Sequence, residues 1–182
     1  MIRKIVPLLV ALTVSLPSLA FDTSRRAPMS SMSAEALVAA MNEERAAAGL
    51  PPLRLNAALC EAADDRMHDM FTKHYFEHIS PDGIDPFTWA ERRGYDYRSI
   101  GENLAVGYPR ASDVVYGWMH SDGHRANVLG RDYCDIGIAI SDGAPQRPFR
   151  GPTVVAIYGT ERPSSGAARH LLPARGGEKG ML

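Results

Sequence analysis

Ile136-Gly137-Ile138-Ala139-Ile140 and, after a break at residues 141–152, Thr153-Val154-Val155-Ala156-Ile157-Tyr158 are the two runs whose reading decides the fold class. In the first, isoleucines alternate with small residues, which is the two-residue period of a strand. The second is mostly β-branched. The residues between them hold Gly, Pro and Arg and are expected to form a mobile hairpin loop. Every periodic segment upstream has the helical period instead. Helices first and strands last argue for an α+β domain and against a βαβ one.

Moving towards the N-terminus from this pair, Ser112 or Asp113 is expected to open a helix carrying Val114, Val115 and Trp118. Asp85-Pro86 joins a capping residue to a proline at the first helical position. The helix it starts carries Phe87, Trp89 and Ala90 and ends by Gly94. Residues 71–84 lose the period and contain the turn signal Pro81-Asp82-Gly83. Asn56 caps a helix with Leu59, Ala63, Met67 and Met70 on one face, where the methionines read as core filling. Ser33 caps another, with Leu37, Met41, Glu44 and Ala48 at helical spacing, stopping at Gly49. Pro51-Pro52 then forces an extended link. After Gly159 the chain turns rich in Pro, Gly and Ser, and residues 160–182 are expected to be a disordered tail. There is no internal repeat.

The chain opens Met1-Ile2-Arg3-Lys4, continues with an apolar run over residues 5–16 and reaches Ser18-Leu19-Ala20. A basic start, a short apolar stretch and a small-x-small site predict a secretory signal cut after Ala20, with residues 21–32 a short polar leader. The apolar run, about a dozen residues, falls short of the roughly 20 that a membrane span needs, and no later segment could cross a membrane. Cleavage would remove two of the 20 Lys and Arg residues (Arg3 and Lys4) and none of the 21 acids, leaving a net charge of −3 on 162 residues. So balanced a charge leaves no electrostatic footprint for nucleic acid or anionic lipid. With 45 % hydrophobic residues, one well-filled domain is expected, in a secreted or periplasmic protein with no membrane span after cleavage.

Export bears on Cys60 and Cys134. Two cysteines in an oxidising compartment most often pair, and a bridge closing about 75 residues would stabilise the fold by roughly 4 kcal/mol. Two buried free thiols or one catalytic thiol are the alternatives. A nucleophilic thiol needs a base and an electropositive setting, whereas both cysteines adjoin acids, Glu61 and Asp135. The expectation is a disulfide.

Chemistry concentrates in three motifs: Phe76-Glu77-His78-Ile79-Ser80-Pro81-Asp82-Gly83, Gly101-Glu102-Asn103-Leu104-Ala105, and Trp118-Met119-His120-Ser121-Asp122-Gly123-His124-Arg125-Ala126-Asn127. Two imidazoles and a carboxylate brought together could hold a divalent metal or act as general acid and base. Blander readings exist for each. Glu102 could tie down a loop, Asn103 could fix a turn, and His120 and Asp122 could be solvated residues at a helix end. His68, His74 and His170 read as ordinary surface or core histidines.

In this order the three motifs resemble the CAP superfamily, the SCP-like extracellular domain shared by sperm-coating proteins, plant pathogenesis-related class 1 proteins and many secreted bacterial proteins. The resemblance runs from about Ala36 to Gly159. It takes in Met41-Asn42-Glu43-Glu44-Arg45, Gly49-Leu50, Gly94-Tyr95 and Asp135-Ile136-Gly137, and the bacterial branch is the most similar. It implies a CAP domain over residues 33–159, folded as a three-layer α/β/α sandwich with a cleft carrying two histidines and two acids. Position by position these are His78, His124 and Glu102. The second acid, expected on the helix bearing Trp118, is absent, and only Asp122 or His120 stands near. The cleft is therefore expected to gather His78, Glu102 and His124, with Asn103 and Asp122 at its edge. If a divalent ion binds there, His78, Glu102 and His124 are the ligands and zinc is the first guess, with water in the open position.

His74-Tyr75-Phe76-Glu77-His78 also matches the inverted zinc-protease pattern H-x-x-E-H, but that pattern needs a continuous helix, and Pro81-Asp82-Gly83 follows at once. No nucleophile elbow, phosphate loop or dinucleotide fingerprint is present. Two functional expectations stand. The first is a secreted module whose His/Glu cleft binds a lipid, glycan or peptide, such as a small ligand or cell-envelope component. The second is a metal-dependent hydrolase or protease using the same cleft.

Overall fold

The computed structural model describes residues 32–163. The signal, almost all of the leader, most of the tail and His170 lie outside the described residues. Five helices and four strands follow in the order α1 (Ala34–Ala47), β1 (Arg54–Leu55), α2 (Ala57–Lys73), α3 (Pro86–Arg92), β2 (Tyr97–Val106), α4 (Ala111–Met119), α5 (Asp122–Val128), β3 (Asp135–Ser141) and β4 (Thr153–Glu161). The caps read from sequence are in place. Ser33 Oγ accepts from the Ala36 amide, Asn56 Oδ1 from Leu59, and Asp85 Oδ1 from Thr88 ahead of Pro86. Gly49 and Gly94, just past α1 and α3, take the left-handed backbone that a side chain would resist.

The strands form one sheet in the order β1-β3-β4-β2, with β1 parallel to β3 and the other neighbours antiparallel. β4 lies between β3 and β2 and is buried on both faces, as its unbroken apolar run requires. Its residues divide by parity between two cores. Val154, Ala156 and Tyr158 join Ile136 and Ile138 beneath Leu37 and Met41 of α1, Trp118 of α4 and Val128 of α5. Val155 and Ile157 join Leu104 and Ala139 beneath Leu59, Ala63 and Met70 of α2 and Trp89 of α3. The result is the expected α/β/α sandwich. At Gly137 the layers meet backbone to backbone, for a Cβ there would fall 2.0 Å from the Leu59 carbonyl carbon.

Several expectations are corrected. β2 was not foreseen: Gly101-Glu102-Asn103 occupies the middle of a ten-residue strand and not an element boundary. α4 starts at Ala111 with Arg110 in the cap position, and Ser112 and Asp113 fall inside its first turn. β4 extends to Glu161, two residues beyond the expected domain end, because Glu161 still pairs with Tyr97. Cys60 and Cys134 are free thiols, both half-buried. Cys134 is held on both sides by backbone bonds, its amide to Gly159 and its carbonyl from Arg54, while its Sγ faces the Asp132 carbonyl at 4.0 Å.

Candidate functional site

The site is assembled on β2, which as the sheet's outer strand has only β4 beside it. Successive side chains of a strand point to opposite faces. Glu102 therefore shares the face of Leu104, towards α2, and Asn103 the face of Ala105, towards α5.

The Glu102 side chain is only 1 % exposed, and both of its oxygens are engaged. Oε1 lies 2.7 Å from His78 Nδ1, and Oε2 accepts from Arg66 Nε at 3.2 Å. Arg66, fully buried on α2, also donates to the Tyr75 hydroxyl and to the Glu77 carbonyl. Tyr75 in turn donates to Asp69 Oδ2 at 2.6 Å. Lys73 bridges Asp69 and Asp82, each at 2.5 Å. The segment carrying His78 is thus fastened to α2 at its base, at Glu77 and at Asp82. The His78 side chain is 54 % exposed, and its Nε2 has no hydrogen bond among the described residues.

The hydrogen bond to Glu102 raises the His78 pKa above the ordinary histidine range, against the opposing effects of burial and Arg66. His124, half-buried on α5, moves the other way, pulled down by burial and then by the charge of His78. The two imidazoles are therefore shifted in opposite directions.

A cleft of about 370 Å³ opens beside this pair. Ile79, Pro86, Phe87 and Ile100 give it an apolar wall, and His78, Glu102, Asp85 and Asn127 supply polar groups. Of the five residues expected at one pocket, His78 and Glu102 line it. His124 does not line it, although the charge of His78 contributes to lowering its pKa. Asn103 is fully buried, not at a rim. Its Nδ2 donates to the His124 carbonyl (3.0 Å) and the Tyr158 hydroxyl (3.1 Å), and its Oδ1 accepts from Asn127 at 2.8 Å. Asn103 is the pin that fastens α5 to the sheet. Asp122 stands exposed on the first turn of α5 with no side-chain bond among the described residues.

Sequence reasoning passed over Arg66 and Asn127. Arg66 had a signal: it follows Leu59, Ala62 and Ala63 on the apolar stripe of α2, where an arginine needs a buried acid. Arg45 on α1 is also buried but is satisfied without an acid. It donates to the carbonyls of Pro51, Val128, Gly130 and Tyr133, tying α1 to the turn after α5.

The expected zinc set does not fit this arrangement. Both Glu102 oxygens are committed to Arg66 and His78, and among the described residues no three His, Cys, Asp or Glu side chains converge as a metal group. The H-x-x-E-H reading fails as well, because α2 ends at Lys73 and His74 adopts a left-handed backbone, so the two histidines do not share a helix. Ser80, the hydroxyl nearest His78 in sequence, is buried with its Oγ accepting from the Ile84 amide.

Residues 38–158 match the family model described as the cysteine-rich secretory protein family, CAP. This chain belongs to the CAP family. Among curated relatives, the YkwD protein of Bacillus subtilis is 37 % identical over 118 residues, covering 64 % of this chain and 46 % of the relative. The chain thus spans less than half the length of that relative. Among solved structures, an extracellular SCP-domain protein from Bacillus anthracis superposes with a TM-score of 0.60 at 22 % identity, over 69 % of this chain and 40 % of the other. An outer surface protein from Borrelia burgdorferi gives 0.62 at 19 % identity, over 70 % and 92 %. These two similarities establish the CAP fold. No helix among the described residues is long and apolar enough to cross a membrane.

Proposed function

We propose that this CAP domain is a secreted binding module whose cleft takes a small ligand, with the polar end on His78 and the apolar part against Phe87 and Ile100. The supporting observation is the buried carboxylate of Glu102. Held by Arg66, it orients the His78 ring through Nδ1 and leaves Nε2 to the cleft. The raised His78 pKa shifts the ring towards its protonated form, in which Nε2–H is a donor suited to a carboxylate or hydroxyl. The rest of the lining includes Ile79, Pro86, Phe87 and Ile100, and apolar groups with a few polar ones are the usual make-up of a small-molecule site. Binding is favoured over hydrolysis because Ser80, the nearest hydroxyl in sequence, is buried with its Oγ accepting from the Ile84 amide and makes no bond to the imidazole among the described residues. Export rests on the basic-apolar-small pattern of residues 1–20 and accords with the extracellular relative.

The test is native mass spectrometry of the full chain after incubation with separate pools of fatty acids, oligosaccharides and short peptides. One pool is expected to give a retained adduct that is lost in His78→Ala and weakened in Phe87→Ala. An adduct retained equally by both variants overturns the assignment of the cleft.

A further inference from the structure

The β3–β4 connection, residues 142–152, contains two arginines, Arg147 and Arg150, and a single acid, Asp142. Both arginines are exposed, and among the described residues neither meets a carboxylate. With His74, Gln146 and Phe149 they line a cavity of about 460 Å³. A second hollow of about 430 Å³ shares Arg147, Phe149 and Arg150. No acid lines either hollow. Every ionisable group there is basic, in a chain whose net charge is −1.

The loop is braced from several sides. Thr153 Oγ1 donates to the Gly143 carbonyl at 2.7 Å, and the Gly107 amide donates to Pro152 at 2.8 Å. A Cβ on Gly151 would come within 3.1 Å of the Gly107 Cα, so the loop's return lies directly on the turn after β2. Phe149 packs against Phe76 with ring centroids 5.3 Å apart and remains 40 % exposed. The cationic groups therefore belong to a supported loop with an aromatic surface beside them.

We propose that this hollow is a second binding site, for an anionic sugar: a saccharide bearing a phosphate, sulfate or carboxylate group. Each chemical feature has a matching group. Planar guanidinium forks pair with multi-oxygen anions in two-pronged fashion. The Gln146 amide can both donate to and accept from sugar hydroxyls. The open face of Phe149 covers the apolar C–H surface of a pyranose ring. The hollow shares no lining residue with the His78 cleft, so the two sites are separable.

The experiment is a nitrogen-15 NMR titration of the full chain at low salt with a heparin-derived tetrasaccharide, maltotetraose and inorganic phosphate as probes. The tetrasaccharide is expected to shift the amides of residues 144–150 and to bind more tightly than phosphate, with maltotetraose giving no saturable shift. Arg147→Gln/Arg150→Gln should weaken the tetrasaccharide about tenfold or more, and Phe149→Ala by a smaller factor, while His78→Ala leaves it unchanged. The substituted side chains are exposed, so unchanged circular dichroism and melting are expected to accompany the loss. Equal binding by the double arginine variant, equal binding of maltotetraose, or loss in His78→Ala would each overturn the site. Phosphate binding as tightly as the tetrasaccharide would overturn its assignment to a sugar.

Discussion

Arg66→Met is the substitution that most directly tests how the cleft is built. Methionine replaces the arginine with an unbranched, uncharged side chain and removes the charge and three hydrogen bonds, to Glu102, Tyr75 and Glu77. The arginine and Glu102 side chains are 0 % and 1 % exposed, so water cannot replace the lost partner. Removing one member of such a buried pair costs about 3–5 kcal/mol, because the remaining charge is left without compensation. For a domain of this size that is a fall of roughly 10–20 °C in melting temperature. Arg66→Met/Glu102→Leu removes both charges and should recover part of the loss, giving a coupling of roughly 2 kcal/mol or more in a double-mutant cycle. Urea denaturation of wild type, the two single variants and the double variant supplies the four free energies. A single Arg66→Met cost below about 1 kcal/mol, or additive effects within about 0.5 kcal/mol, would refute the claim that Arg66 underpins the carboxylate.

Proton NMR titration of the histidines should show His78 titrating above the ordinary value of about 6.5 and His124 below it, with Glu102→Gln bringing His78 down; identical midpoints would contradict the opposite shifts. Because the folded-state pKa of His78 is raised, its contribution to stability is full below the unfolded value and is lost as pH rises through the folded value. His124, lowered on folding, contributes in the opposite direction and loses its share as pH falls. Gly137→Ala should prevent folding or cost several kcal/mol, since its Cβ would fall 2.0 Å from Leu59 backbone. At Gly123 a Cβ meets nothing within 4 Å and the residue is helical, so Gly123→Ala should stabilise by about 0.5–1 kcal/mol. Chemical denaturation distinguishes these two glycines at once. Calorimetric titration of the metal-free protein with zinc at pH 7.5 is expected to show no tight stoichiometric uptake; uptake abolished by both His78→Ala and His124→Ala would overturn that expectation.

Much of the scaffold was legible because its signals are local. Ser33, Asn56 and Asp85-Pro86 mark helix starts through bonds made within three residues, and the Thr153 run states its own two-sided burial. β2 was not legible, because Gly-Glu-Asn in a strand looks like a break until its partners are known. Those partners are 36 residues before Glu102 in Arg66 and 55 after Asn103 in Tyr158. The absent bridge between Cys60 and Cys134 is a similar case, since their redox state cannot be read from spacing alone.

The same long-range dependence explains why the motif Gly101-Glu102-Asn103 is compact in sequence yet serves two layers. A strand alternates faces at each residue, so adjacent positions can reach opposite sides of a sheet with no loop between them. A Cβ on Gly101 would come within 2.5 Å of the Tyr133 hydroxyl and 2.8 Å of Asn127 Oδ1, so a side chain there would push against the Tyr133 ring and the Asn127 amide. Glu102 then holds His78 from the α2 side, and Asn103 holds the His124 backbone from the α5 side. Three consecutive residues thereby fix the relation between two imidazoles that come from separate layers. A shift of β2 by one residue would exchange the faces and leave Arg66 opposite an amide. The site's geometry and the register of β2 on β4 are one property, and a perturbation of either should appear in the other.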